Sequence, residues 1–220
     1  MPIPQNYRVE KQPSAKERAY SQIQEWIIDG TLQPGEKIND VEIANAIHIS
    51  RTPVREALQM LSQQGFLTMK PGVATYVNES DPNELGKLLP PLAALQSLAA
   101  ETAAACSDEK MIEELEALND RFAKALQNQD YYTALKRDEL FHKIIVDRCD
   151  NPYLSNMTEM LQAHVRKLFF QKTIILTMDS VTEHRELLEA LKNGNAKKAS
   201  EIARENWMRP IGEYLKTRDQ

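Results

Sequence analysis

The stretch Ile49-Ser50-Arg51-Thr52-Pro53-Val54-Arg55-Glu56-Ala57-Leu58-Gln59-Met60-Leu61 decides the fold of this chain. Read as a helix, it places apolar side chains on one face at spacings of three and four residues, which is the pattern of a buried stripe. The residues of this stripe are Val54, Ala57, Leu58 and Leu61. Ser50 or Thr52 can cap the start of the helix, and Pro53 falls in its first turn, where a missing N–H costs nothing.

The neighbouring face of this helix is suited to DNA. Arg51, Arg55 and Gln59 recur there every four residues. Arginine and glutamine side chains bind base edges, while arginine, hydroxyl groups and helix N-termini bind phosphates. An ordinary solvated amphipathic helix would have the same pattern, so the segments on either side must decide between the two interpretations.

The segments before this helix complete a helix-turn-helix. The capping-box pattern Ser14-x-x-Glu17 begins a first amphipathic helix. After a turn, Asn39 or Asp40 caps a short helix. The residues of the short helix that we expect to point inward are Val41, Ile43, Ala44 and Ile47. A tight corner at His48 joins it to the helix that starts near residue 50, which is helix-turn-helix spacing with the second helix in the recognition position.

A β-hairpin is predicted directly after the recognition helix. Gly65 ends that helix, and two short runs that read as strands, 66–70 and 73–77, flank the turn Pro71-Gly72. A hairpin in this position is the wing of a winged helix. The polar, turn-rich segment 79–83 marks the expected domain boundary.

From residue 84 onward every periodic segment is helical. We predict six helices with short connections, which is the organisation of an antiparallel bundle. Their expected ranges are 84–105, 108–128, 131–148, 152–172, 178–192 and 196–215. The chain is therefore predicted to be mostly α. Its expected parts are a flexible arm (1–12), a winged helix-turn-helix domain (13–78), a linker (79–83) and an all-α bundle (84–220).

Composition limits the classes of function. The chain has 220 residues, of which 27% are charged and 42% hydrophobic, and a net charge of -5, as in a soluble globular protein. Residues 1–78 carry eight basic and eight acidic residues, so any DNA contact must come from a focused cluster such as Arg51 and Arg55. No apolar run is long enough to span a membrane, and two cysteines without a CxxC motif fit a reducing cytoplasm.

The chain resembles the GntR family of bacterial transcriptional regulators, in the branch with a FadR-type C-terminal (FCD) domain. In the first domain the resemblance is carried by LQPGEKI (32–38), IANAI (43–47), SRTPVREAL (50–58), LxxxGFL (61–67) and PGxxxxV (71–77). In the second it is carried by DELFH (138–142), DNPYL (150–154) and EHRELLEALKNGN (183–195). The resemblance implies a winged helix that binds a short palindromic operator as a homodimer. It also implies a bundle that senses a small metabolite, often a carboxylate and often through a bound metal.

The resemblance also implies which residues contact DNA. These are Ser50, Arg51, Thr52 and Arg55 in the recognition helix and Gly72 at the wing tip. Two bidentate arginine contacts to guanine, worth roughly 1–3 kcal/mol of discrimination each, agree with this role. The chain departs from the family at His48, which replaces the usual turn glycine, and at Val41, which replaces a DNA-binding arginine of some members.

A metal site is predicted in the bundle. Asp138 and His142 lie one helical turn apart and project from one face, so an oxygen and an imidazole can together bind Zn, Ni or Mn. His184 lies at the position of the family's third metal ligand. The fourth ligand, a histidine in relatives, is Asn206 here, which binds such metals less well. The alternative is a site without metal, in which these four side chains hydrogen-bond an effector or water directly.

The effector site departs further from the family. Many relatives carry an arginine one turn before a glutamate on the first bundle helix. The corresponding residues here are Leu92 and Gln96, so the usual carboxylate clamp is not expected. His164 and Arg166 are our candidates to line the effector pocket, and the alternative is that they are snorkelled surface side chains. Trp207 is expected in the core or in dimer packing.

Three classes of function fit these patterns. The first is a DNA-binding repressor whose operator affinity changes when a ligand binds the bundle, with a coupling of about 1–3 kcal/mol. The second is a metal-dependent enzyme. We expect no enzyme, because no Glu or Lys base is spaced beside the histidines in a known catalytic pattern. The third is a winged helix that binds only protein, in which Arg51 and Arg55 would have no role in operator binding.

Overall fold

A computed structural model describes residues 12–70, 72–79, 81–170 and 176–218 of the chain. The chain divides into two compact units between residues 79 and 80. Within the described residues, the first unit contains three α-helices and a three-stranded sheet, and the second contains six α-helices. The predicted fold class, a winged helix-turn-helix followed by an all-α bundle, is confirmed.

The first unit is built around the recognition helix. Its elements are α1 (Ala15–Ile28), β1 (Lys37–Ile38), α2 (Asp40–Ala46), α3 (Arg51–Gln63), β2 (Leu67–Lys70) and β3 (Ala74–Val77). The capping box at the start of α1 is confirmed, since the Ser14 hydroxyl accepts from the Glu17 N–H and the Glu17 carboxylate accepts from the Ser14 N–H. The predicted apolar stripe of α3 is buried, and α1 packs against α3.

The sheet of the first unit forms the wing. β3 is its central strand and pairs antiparallel with β1 and β2, so that Thr75 lies opposite Ile38 on one side and Met69 on the other. β2 and β3 form the predicted hairpin. β1 was not predicted, because a two-residue strand is too short for alternation to reveal it.

Three details of this unit refine the sequence-based expectations. Val41 was expected to point inward but is 40% exposed. It lies two residues before the buried Ile43, which is more than half a turn around the helix. Ser50 occupies the N-cap position of α3, but its side chain makes no capping hydrogen bond. His48 has φ 54°, the left-handed conformation expected at the glycine position of the family.

The second unit is a bundle that follows a single 3₁₀ turn (Pro82–Glu84). Its helices are α4 (Leu85–Ala104), α5 (Glu109–Gln127), α6 (Tyr131–Asp147), α7 (Pro152–Phe170), α8 (Met178–Lys192) and α9 (Ala196–Arg218). The predicted end of the fourth bundle helix, at residue 172, lies outside the described residues. α4 packs against α9, α7, α6 and α8. None of the helices in the described part of the chain has the length and apolar character needed to cross a lipid bilayer.

Because His48 adopts a left-handed backbone conformation, replacing it with glycine should stabilise the winged-helix unit. Strain of roughly 1–2 kcal/mol would be relieved, and glycine's greater freedom in the unfolded chain would offset part of it. We expect His48→Gly to raise the free energy of unfolding by about 0.5–1 kcal/mol in urea titrations. His48→Ala, which removes the imidazole and keeps the strain, should bring no such gain. Equal stabilisation by both variants would contradict the backbone explanation.

Candidate functional site

The first candidate site is the exposed face of α3. The side chains of Arg51 and Arg55 are 52% and 62% exposed. Both guanidinium groups bind the carboxylate of Asp40 at the start of α2. Arg51 Nη2 lies 3.2 Å from each carboxylate oxygen, and Arg55 Nε lies 2.5 Å from Oδ2. The hydrogen bond from Arg55, with a smaller one from Arg51, keeps the pKa of Asp40 below its usual value despite partial burial.

This arrangement fixes the direction in which both arginines point. Charge-assisted hydrogen bonds to one carboxylate restrict side chains that would otherwise sample many rotamers. The sequence indicated Asp40 only as a helix cap, because its contacts to residues 11 and 15 positions later depend on how α2 packs on α3.

A groove of about 930 Å³ lies beside these side chains, with walls from α2, α3 and the wing. Arg55, Gln59, Lys70 and Gly72 are among its lining residues. Gly72 has φ 70°, and a Cβ at this position would meet nothing within 4 Å. The backbone conformation, rather than local space, is therefore what favours glycine at the wing tip. The other two predicted DNA contacts, Ser50 and Thr52, are exposed at the start of α3.

The second candidate site is a buried cluster in the helical unit, formed by Asp138 and His142 on α6 and His184 on α8. His142 Nε2 lies 3.3 Å from His184 Nε2. Asp138 Oδ1 lies 3.9 Å from His142 Nε2 and 3.5 Å from His184 Nε2. Ligand atoms bound ~2.0–2.2 Å from one tetrahedral ion lie ~3.3–3.6 Å apart, so the three atoms fit a zinc-type ion with little adjustment.

Asn119 on α5 orients His184. The Asn119 Nδ2 donates to the carbonyl oxygen of Val181 at 3.1 Å, which leaves Asn119 Oδ1 facing His184 Nδ1 at 3.1 Å. Nδ1 must therefore carry the proton, and Nε2 keeps its lone pair toward Asp138, as metal binding requires. The ring of Phe141 stacks on the imidazole with centroids 4.0 Å apart. Asn119 was missed, although its place among apolar residues of one helical face was a usable signal.

Burial controls the charge of this cluster. Burial, with a smaller contribution from Glu139, raises the pKa of Asp138 to about 8. Burial lowers the pKa of His142 to about 3 and, together with His142, lowers the pKa of His184 well below its usual value. All three groups are therefore neutral near pH 7 without a cation. A divalent ion would compensate an ionised Asp138, so the chemistry of these donors fits a metal.

Asn206, the expected fourth ligand, lies on α9 and is 8% exposed. Its Nδ2 donates to Glu183 Oε2 at 2.6 Å, so Oδ1 is the atom that it can offer to an ion or a ligand. Glu183 also accepts from Arg209 Nε at 2.8 Å. Arg209 was not among our candidates.

A cavity of about 50 Å³ adjoins this cluster. Its polar and charged lining residues include Asp138, His142, Asn206, Arg166 and Arg209. Arg166 was predicted to line the effector pocket and does line this cavity, whereas His164 is not among its lining residues. Leu92 and Gln96 do not line it either and are 0% and 1% exposed.

Comparison with known proteins gives the same two-part division. The family models "Bacterial regulatory proteins, gntR family" and "FCD domain" match residues 15–77 and 91–207. The chain is 31% identical over 192 residues to the HTH-type transcriptional regulator YdhC of Bacillus subtilis (strain 168), with 83% of each chain covered. It is 42% identical over 64 residues to the arabinose metabolism transcriptional repressor of Geobacillus stearothermophilus, with 29% of this chain and 18% of that protein covered. The solved structure of E. coli McbR/YncC has the same fold, with a TM-score of 0.79 at 22% identity over 94% of this chain and 99% of that one.

The raised pKa of Asp138 makes stability depend on pH. The folded state keeps a proton that the unfolded state releases between pH 3.8 and about 8, so stability falls as pH rises through this window. Near pH 6.5 the two histidines act in the opposite direction, because they are partly protonated in the unfolded state and neutral in the folded state. With a chelator present, we therefore expect the free energy of unfolding to fall mainly between about pH 7 and 8, by less than about 1 kcal/mol per pH unit.

Asp138→Asn is the variant that checks this prediction, and urea titration at several pH values is the measurement. The asparagine cannot ionise, so the decrease should disappear. Zinc should reverse the trend in the native protein and stabilise it more at higher pH, because the ion binds ionised Asp138. The same pH dependence in both proteins would show that another group causes it.

Proposed function

The chain belongs to the GntR family of bacterial transcriptional regulators and carries an FCD domain, and on this basis we propose that it is a repressor that releases its operator when a small ligand binds in the helical unit. The observation that carries the proposal is the pair of exposed arginines on α3, held in one orientation by Asp40. GntR regulators bind operator DNA and small-molecule effectors. Repression by this chain is our inference, supported by the relative from Geobacillus stearothermophilus that is named a repressor.

We assign operator recognition to the residues at the start of α3 and at the wing tip. Arg51 and Arg55 bind base edges in the major groove, since their side chains are exposed and pre-oriented. Ser50 and Thr52 bind phosphates beside the helix N-terminus, and the unused capping capacity of Ser50 supports this role. Gly72 lets the wing backbone approach the DNA.

We propose that the protein binds a short palindrome as a homodimer, because a two-fold symmetric protein matches two half-sites. An exposed apolar stripe on α7 supports self-association. Tyr153, Met157 and Met160 share one face of that helix and are 77%, 55% and 38% exposed. Large apolar side chains grouped on an exposed helix face are typical of interaction surfaces.

We propose that Asp138, His142 and His184 hold a divalent metal, such as Zn, Ni or Mn, with Asn206 beside them. When bound, the ion supplies positive charge that attracts an anionic effector into the adjoining cavity. Asn119 and Phe141 keep His184 in the required tautomer and orientation. Arg166 lines the cavity and can pair with a carboxylate. We assign this site to sensing rather than catalysis, in line with the relatives, which are transcription regulators.

Removing either recognition arginine should weaken operator binding. We expect Arg51→Ala and Arg55→Ala each to reduce affinity about 10- to 100-fold, since each loses a bidentate base contact. The measurement is fluorescence anisotropy with a duplex that the native protein has selected from a random library. Its stoichiometry should be two chains per duplex.

Arg18→Ala is the matched control, because Arg18 is exposed on α1 and does not line the groove. It removes the same charge and should change affinity much less. Native affinity and unchanged sequence preference in both recognition variants would refute the assignment of α3 as the reading helix.

Asp40→Asn should reduce specificity more than affinity. The variant removes a negative charge near the phosphates, so binding to scrambled DNA should strengthen. The arginines lose the carboxylate that orients them, so the ratio of operator to scrambled affinity should fall several-fold. The fold should persist, since exposed ion pairs contribute about 0–1 kcal/mol.

Glu42→Gln controls for charge alone. Glu42 lies on α2, lines the same groove and bonds to Asn39 rather than to an arginine. It should strengthen binding to scrambled DNA without changing the ratio. An Asp40→Asn protein with a native ratio would contradict the orienting role.

A further inference from the structure

Three buried N–H groups around the cavity beside Asp138 have no hydrogen-bond partner. They are Trp207 Nε1, Gln162 Nε2 and Arg166 Nε, and all three side chains line the cavity. Trp207 is 8% exposed, and its ring lies 4.9 Å from the ring of His142. Buried polar groups are almost always hydrogen-bonded, so three unpaired donors on one small cavity require an explanation.

The three groups have the same polarity. An indole N–H and a guanidinium can only donate, and the amide nitrogen of glutamine also donates. Arg166 Nε lies 3.4 Å from Glu139 Oε1 as an ion pair, but without the geometry of a hydrogen bond. The lining also carries an acceptor, Glu139 Oε1, which faces Arg166 Nε in this ion pair. A ligand that satisfies Trp207 Nε1 and Gln162 Nε2 must present acceptors to these two groups.

Charge and volume narrow the class of ligand. With Asp138 ionised, as it would be on a bound cation, the charged side chains that line the cavity balance, with Asp138 and Glu139 against Arg166 and Arg209. A divalent ion at Asp138 would leave the cavity positive, which favours an anion. The volume of about 50 Å³ has room for only about three to five water-sized groups. A carboxylate with a very short carbon chain meets these conditions.

We propose that Trp207 and Gln162 are specificity-determining residues. Together with Arg166, they donate hydrogen bonds to the carboxylate of a small organic acid. This inference rests on the proposed function, in which an effector binds in the helical unit. It assigns the contacts to α7 and α9, whereas the corresponding family positions on α4, Leu92 and Gln96, lie outside the cavity lining. It also gives the indole N–H of Trp207 a role in ligand binding, in addition to the packing of its ring.

The experiment uses the fluorescence of Trp207 in the 220-residue chain. The chain has two tryptophans, so Trp26→Phe leaves Trp207 as a single reporter. The protein is loaded with zinc and titrated with acetate, and then with acetamide, a neutral molecule of similar size that carries a donor. We expect a saturable change in emission with acetate and at least about 10-fold weaker binding of acetamide, because it lacks the charge.

Two glutamine variants in this background separate ligand binding from packing. Gln162→Leu should weaken acetate binding about 10- to 100-fold, because a hydrogen bond to a charged acceptor is lost. Gln96→Leu is the matched control, since Gln96 Nε2 is also buried and unpaired but does not line the cavity. Both variants remove an unpaired buried donor. Each should therefore raise Tm without acetate by about 2–4 °C, but only Gln162→Leu should lose acetate affinity.

Trp207→Phe should show the same loss of affinity, measured by ligand-observed NMR because the reporter is removed. The absence of saturable acetate binding, native affinity in Gln162→Leu, or an equal loss in Gln96→Leu would each overturn the proposal. Operator binding of the Trp26→Phe protein is measured in parallel. If the Trp26→Phe protein binds no selected duplex, the proposed function is contradicted. If it binds its operator normally but Gln162→Leu keeps native acetate affinity, only this inference is contradicted.

Discussion

The helical unit buries one carboxyl and two imidazoles in its core, and this burial constrains the chemistry of the cluster. Removing Asp138, His142 and His184 from water makes their charged forms costly, which raises the pKa of Asp138 and lowers those of both histidines. The groups remain because neighbours satisfy them: Asn119 binds His184, and Phe141 stacks on it. α5, α6 and α8 each contribute a side chain to this cluster. The geometry of the site is therefore set by how these three helices pack.

In the winged-helix unit, a carboxylate orients two arginine side chains at the surface. Arg51 and Arg55, the proposed DNA contacts, are exposed, and exposed arginines ordinarily have no fixed direction. Asp40 supplies that direction from the helix before. In both units a polar group on a neighbouring helix orients a side chain of the proposed site.

The sequence predicted what local periodicity encodes. The recognition helix, the wing and the bundle were predicted from the spacing of apolar residues. The pairing of Asp138 and His142 was predicted because they lie one helical turn apart. Asp40, Asn119 and Arg209 were missed because their roles come from partners on other helices, which no local pattern reports. Val41 was misjudged because a seven-residue helix gives too few apolar positions to define its buried face.

A ligand can change operator affinity only if it binds two arrangements of the protein differently. Leu89, Val165 and Trp207 line the cavity and also belong to the apolar cluster that includes Leu85, the first residue of α4. α4 begins six residues after the division between the two units. On our proposal, a ligand that hydrogen-bonds Trp207 would act on the apolar cluster that contains the first residue of α4. The ligand need not touch the proposed DNA-binding residues, because the difference in its binding free energy between the two arrangements can arise where α4 begins.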